Sequence, residues 1–207
     1  MARNARTRAI SRRGWLLAGL ATPLFRGRAA ENLAAVFDGD MLRPVAPALH
    51  FLTGKALDRL ESAQTVVFLS QLTLFHEDHA TVFRRTPQRF FVSFDIWEER
   101  FKVTIPGALP QSKLGLTAAQ AESWCLENLA ISAWGMAPER LFWLRFELRT
   151  ADPKDLSSVV DDTGISISGL IELFSRKPGV KDPNWVLETR LRLADLDRSP
   201  SRRARIG

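Results

Sequence analysis

Between residues 65 and 76 the chain reads TVVFLSQLTLFH, with apolar side chains at odd and even positions alike and many β-branched and aromatic types. That pattern suits a central strand covered on both faces. Residues 141–149 alternate instead. Phe142, Leu144, Phe146 and Leu148 share one face and Arg145, Glu147 and Arg149 the other, which predicts a half-buried strand. Residues 184–194 repeat the pattern, with Trp185, Leu187, Leu191 and Leu193 inward and Glu188, Arg190 and Arg192 outward. Phe90, Val92, Phe94 and Ile96 alternate before a polar turn at Glu98-Glu99-Arg100 and a further run, FKVTI, so residues 89–105 read as a hairpin. Pro87 marks a bulge or an edge position, and Pro106, Gly107 and Pro110 end the unit. A strand from Asn32 closes in a turn at Asp38-Gly39-Asp40, where glycine supplies a positive φ.

Helical periodicity occurs three times. Leu49, Leu52, Ala56 and Leu60 place one apolar face on a helix over 48–62. Thr117 and Gln120 have the capping-box spacing, in which two side chains reciprocally satisfy backbone N–H groups at a helix start. That helix is expected to run to Trp134 and stop at Gly135, burying Ala121, Trp124, Cys125, Leu129 and Ala133. Ile167, Leu170, Ile171 and Phe174 give a third helix over 166–177. Strands arriving mainly as hairpin neighbours, with helices inserted between them, predict a single α+β domain with a largely antiparallel sheet and about three packed helices.

Charge changes the picture at the two ends. Residues 1–29 carry seven arginines and no acid, and residues 198–207 carry four arginines and no acid. Setting those eleven aside from the 29 basic residues leaves 18 against 23 acids, a net charge of −5 over residues 30–197. A body of that sign repels phosphate backbones, so the overall charge of +6 does not make this a nucleic-acid-binding domain. The tail from Arg198 lacks apolar periodicity and reads as a basic disordered segment.

The leader combines a basic start, a short apolar run, GWLLAGLATPLF, and a small-residue segment, RGRAA. Twelve residues are too few to span a bilayer as a helix, which takes about 20. Ser11-Arg12-Arg13-Gly14-Trp15-Leu16-Leu17 resembles the twin-arginine export signal, with Trp15 where phenylalanine is commoner and Leu17 where lysine is frequent. That resemblance covers residues 1–29. It implies recognition of Ser11, Arg12, Arg13, Trp15 and Leu16 by the twin-arginine translocase and export in a folded state. Small residues at Gly27 and Ala29 place cleavage after Ala29, giving a soluble periplasmic or secreted domain over 30–197 with no stable membrane insertion.

Candidate chemistry is sparse. Cys125, the single cysteine, closes no intrachain disulfide and fits a buried structural thiol on the helix stripe. The chain has no tyrosine and three histidines, His50, His76 and His79. His76-Glu77-Asp78-His79 is its densest ligand group, two imidazoles and two carboxylates suited to a borderline divalent ion, although a strand-to-strand turn is polar for solubility anyway. Gly164, Ser166, Ser168 and Gly169 lack nucleophile-elbow spacing, and no phosphate-binding glycine loop occurs. No cofactor is expected.

Trp97 and Trp143 fall on the parity opposite the main apolar rows of their strands, which makes them candidate contacts for an apolar or peptide-like ligand. The element order, with GLIELFSRKPG leading into NWVLETRLRL, resembles uncharacterised bacterial envelope domains. Together these readings point to an exported envelope protein that binds an unidentified ligand or protein partner without catalysis. The alternative is a small envelope enzyme, a metal-assisted hydrolase built on His76 and His79.

Overall fold

The computed structural model describes residues 33–151, 160–161, 164–165 and 184–197. β1 (Ala34–Asp38) turns at Gly39, φ +64°, into β2 (Met41–Val45). There follow α1 (Gly54–Glu61), β3 (Val66–Phe75), β4 (Val82–Asp95), β5 (Arg100–Ile105), β6 (Gln111–Leu116) and α2 (Ala118–Glu127). The chain continues through β7 (Ile131–Ser132), β8 (Leu141–Thr150), β9 (Val160–Asp161), β10 (Gly164–Ile165) and β11 (Asn184–Arg192), then one 3-10 turn at Leu193–Asp195. Every strand pairing among them is antiparallel.

A six-stranded sheet ordered β11-β8-β3-β4-β5-β6 forms the body, and β1-β2-β7 make a second, three-stranded sheet. β3 lies inside the larger sheet and all ten of its residues are buried, as its two-faced apolar pattern requires. Its even positions, Val66, Phe68, Leu72 and Leu74, join the main core with Phe90 and Val92 of β4 and Phe142, Leu144, Phe146 and Leu148 of β8. α1, α2 and the smaller sheet contribute Ala56, Leu60, Ala121, Cys125, Leu42 and Ile131 to the same core. The odd positions of β3 face the other way, where Gln71 stands beside Glu147 and Thr73 beside Arg145.

The architecture is α+β with a largely antiparallel sheet, and the differences from the sequence pattern are local. Two α-helices occur among the described residues, where the pattern predicts about three; the third, over 166–177, lies outside the described residues, as do the leader and the basic tail. α1 starts at Gly54 rather than residue 48, because the N–H groups of Phe51 and Leu52 are drawn to the carboxyl group of Glu122 instead of a helix ladder. α2 keeps its capping box at Thr117 and Gln120 but ends at Glu127, not Trp134. Leu129, Ile131 and Ala133 are buried with half-buried residues between them, so the segment alternates with a period of two and pairs through Ile131 with Leu42. Leu129 and Ala133 fit both periods, and pairing with β2 decides between them.

β6 is an addition to the expected hairpin. From Phe101↔Leu116 to Val103↔Lys113 β5 advances two residues and β6 three, so β6 carries a bulge, with Gly115 at φ +70°. β4 is long, and β5 pairs only with its residues 91–95. Pro87, which has no N–H to offer, sits in the stretch of β4 whose outer edge lacks a partner strand among the described residues. Among those residues no helix is long and apolar enough to cross a membrane.

Candidate functional site

The β4–β5 turn presents the most exposed large apolar side chain among the described residues. Trp97 is 95% exposed, next to Ile96 at 52%. Asp95 Oδ1 accepts the backbone N–H groups of Trp97 (2.9 Å) and Glu98 (3.1 Å), and Glu99 closes the turn at φ +50°. An aromatic ring in water is thus held on a turn with a defined backbone, flanked by exposed Glu98, Glu99 and Arg100. Burying such a ring against a partner brings a large contact area at little cost in side-chain freedom.

Trp143 lies elsewhere. It is half-buried on the polar face of the six-stranded sheet, opposite Phe75 on one side and Arg190 on the other. The His79 ring meets it edge-on at 4.8 Å, and the Arg190 guanidinium stands 5.9 Å over it. Val82 of β4 pairs with Phe75 at this level, whereas Trp97 follows the far end of β4. About 40 Å of strand separates the two levels at the usual rise per residue. The two tryptophans do not form one surface.

The His76–His79 turn is built by Asp78. Its Oδ1 accepts from Ala80 and Thr81 N–H, and its Oδ2 from the Thr81 hydroxyl at 2.6 Å, bonds that hold its carboxyl below the usual carboxylate range. His79, at φ +57°, directs Nε2 to Glu188 (3.2 Å), which also accepts from Arg145, while Glu77 accepts from Arg190. His76 packs edge-on against Phe83 at 5.5 Å, in a groove that also includes Met136, Arg140 and Phe142. The two imidazoles therefore serve different neighbours. Among the described residues no group of three or more His, Cys, Asp and Glu is arranged to hold a metal ion.

Sequence reasoning missed Glu122. It is buried on α2, and its Oε1 accepts from the N–H groups of Phe51 (2.7 Å) and Leu52 (2.8 Å), while Oε2 lies 2.9 Å from Nδ1 of His50. His50 stands at the rim of a groove of about 340 Å³ lined by Pro44, Ala46, Pro47, Leu49 and Leu126. A carboxyl group locked by two main-chain donors fixes the orientation of the imidazole it touches. The only signal in the sequence is an acid one position from Ala121 of the apolar stripe, which periodicity alone reads as the stripe's solvent edge. Cys125, one turn away, is buried, and burial reinforced by Glu122 pushes its thiol far up, out of the range of a reactive thiolate.

A third polar group lies on the second face of the large sheet. Gln71 Nε2 donates to Glu147 (3.2 Å) and Thr73 (3.3 Å), and its buried Oε1 has no hydrogen-bond partner among the described residues. Burial pushes the Glu147 carboxyl up, against the opposing influence of Arg145, Arg85 and the bond from Gln71. No protein-family model, curated protein or solved structure matches the chain.

Proposed function

We propose that the chain is exported to the bacterial envelope by the twin-arginine route and acts there by non-catalytic binding, with Trp97 as an anchor of the contact surface. The export half rests on Ser11, Arg12, Arg13, Trp15 and Leu16 and on small residues before the cleavage point at Ala29. The binding half is carried by one observation, the 95% exposure of Trp97 on a turn fixed by Asp95. Exposed aromatic side chains of this kind are over-represented among residues that dominate binding energy.

Site-specific photo-crosslinking tests it. A benzoylphenylalanine replacing Trp97 in living cells is expected to give discrete adducts that the same probe at Leu109, also exposed on a loop, does not give. Equal, diffuse labelling from both positions would remove the proposed contact surface.

A further inference from the structure

We propose that β11 pairs with β11 of a second copy of this chain, antiparallel about Thr189, so that the two six-stranded sheets continue into each other. The two ends of that sheet differ. β6 carries a bulge and Lys113 and follows Pro110, devices that hinder an added strand. β11 has neither proline nor glycine and keeps unbroken register with β8 over all nine of its residues. On the side away from β8 its backbone makes no hydrogen bond among the described residues. Val186 is 47% exposed there, and Glu188, Arg190 and Arg192 are exposed as well. The edge is open, and its charges select what can lie along it.

A two-fold axis perpendicular to the sheet keeps each face continuous, so residues that meet lie on the same face and the one free choice is which residue meets itself. With Thr189 at the centre, Glu188 of each copy stands opposite Arg190 of the other, Leu187 opposite Leu191 and Trp185 opposite Leu193. A centre at Glu188 or at Arg190 sets like charges directly against each other, and a centre at Leu191 sets Arg190 against Arg192, all of them destabilising. A centre at Leu187 leaves Glu188 opposite Val186 and Arg190 opposite Asn184, with no ion pair. The charges also have atoms to spare. Glu188 takes both Arg145 and His79 on Oε1, and its Oε2 has no partner among the described residues. Arg190 donates to Glu77 through Nη2, and its Nη1 and Nε have no partner among them. Each side chain gains a cross-strand partner without giving up the one it holds. A uniformly acidic or basic strand would satisfy one of the two and oppose the other, whereas a second copy satisfies both.

Sedimentation equilibrium on the mature chain across the micromolar range is expected to show a reversible dimer. Glu188→Arg and Arg190→Glu each place like charges opposite one another and should weaken dimerisation by about tenfold or more. An equal mixture of the two variants should associate as wild type does, because every opposed pair is again of opposite sign, and that recovery also shows both variants to be folded. Thr189→Cys should give a disulfide-linked dimer on oxidation, which Glu188→Cys does not, since position 188 meets 190 and not itself. Cys125 is buried and takes no part. Trp97→Ser should leave the dimer as it was. A monomer at every concentration, undiminished dimers of both charge variants, or a mixture that fails to associate overturns the proposal. So does a dimer lost in Trp97→Ser, which would place the contact at the β4–β5 turn.

Discussion

At the scale of single residues, a half-buried acid, Glu147, and a buried one, Glu122, do different work. Glu147 is pushed up by burial, so between the unfolded-state value of about pH 4.3 and its folded value the native state holds the proton longer than the unfolded chain. Its contribution therefore falls as pH rises through that window and is level above it. Glu147→Gln should lose this slope. Urea unfolding midpoints of wild type and variant, compared from pH 3 to 7, are expected to diverge as pH rises, in favour of the variant. A difference constant with pH would place Glu147 in ordinary solvent. Glu122 instead satisfies two buried N–H groups, and Glu122→Ala strands both, at roughly 1–3 kcal/mol each. Glu122→Gln keeps an amide oxygen for them and should lose much less in the same unfolding measurement. Neither role is legible in the sequence, because Glu122 meets partners some 70 residues earlier and Glu147 meets Gln71 across 76. Parity marks Trp97 as a candidate contact but leaves open whether a helix covers its ring, and its distance from Trp143 depends on the length of β4.

At the scale of elements, the strands with a clear pattern are where the sequence places them, and each departure has its own local cause. β8, β11 and the β4–β5 hairpin have side-chain patterns that only one period fits, and β3 is recognised by apolar, β-branched and aromatic residues on both parities. The segment after α2 fits two periods, and the residues before α1 were helical in pattern but captured by Glu122. β6 carries no alternation to read, since its bulge displaces Leu114 and every residue from Gln111 to Gly115 is exposed. The β8 assignment has a direct consequence: Leu144 is fully buried in the main core. Leu144→Asp puts an unpaired charge there, at a cost of several kcal/mol against a total stability of about 5–15 kcal/mol. Thermal denaturation should show a greatly lowered Tm or no cooperative transition, and an unchanged Tm would contradict the inward facing of Leu144.

At the scale of the whole molecule, basic residues gather at the two ends of the chain and leave a net acidic body between them. If Arg12 and Arg13 are an address read by the translocase, replacing both with Lys keeps the charge and loses the recognition. Fractionated cells should then hold the precursor in the cytoplasm, and undiminished envelope levels would refute the twin-arginine reading. The position of β3 bears on how such a precursor matures. One of its neighbours, β4, follows directly, but the other, β8, is some 76 residues further on, as the Gln71–Glu147 pair marks. Local hairpins close in microseconds, while pairings so distant in sequence slow folding. A ribosome at ordinary speeds of about 5–20 residues per second needs several seconds to supply that stretch. Throughout that interval the most apolar strand among the described residues has one side of its backbone unpaired, so the nascent chain passes through an adhesive stage that the finished fold conceals.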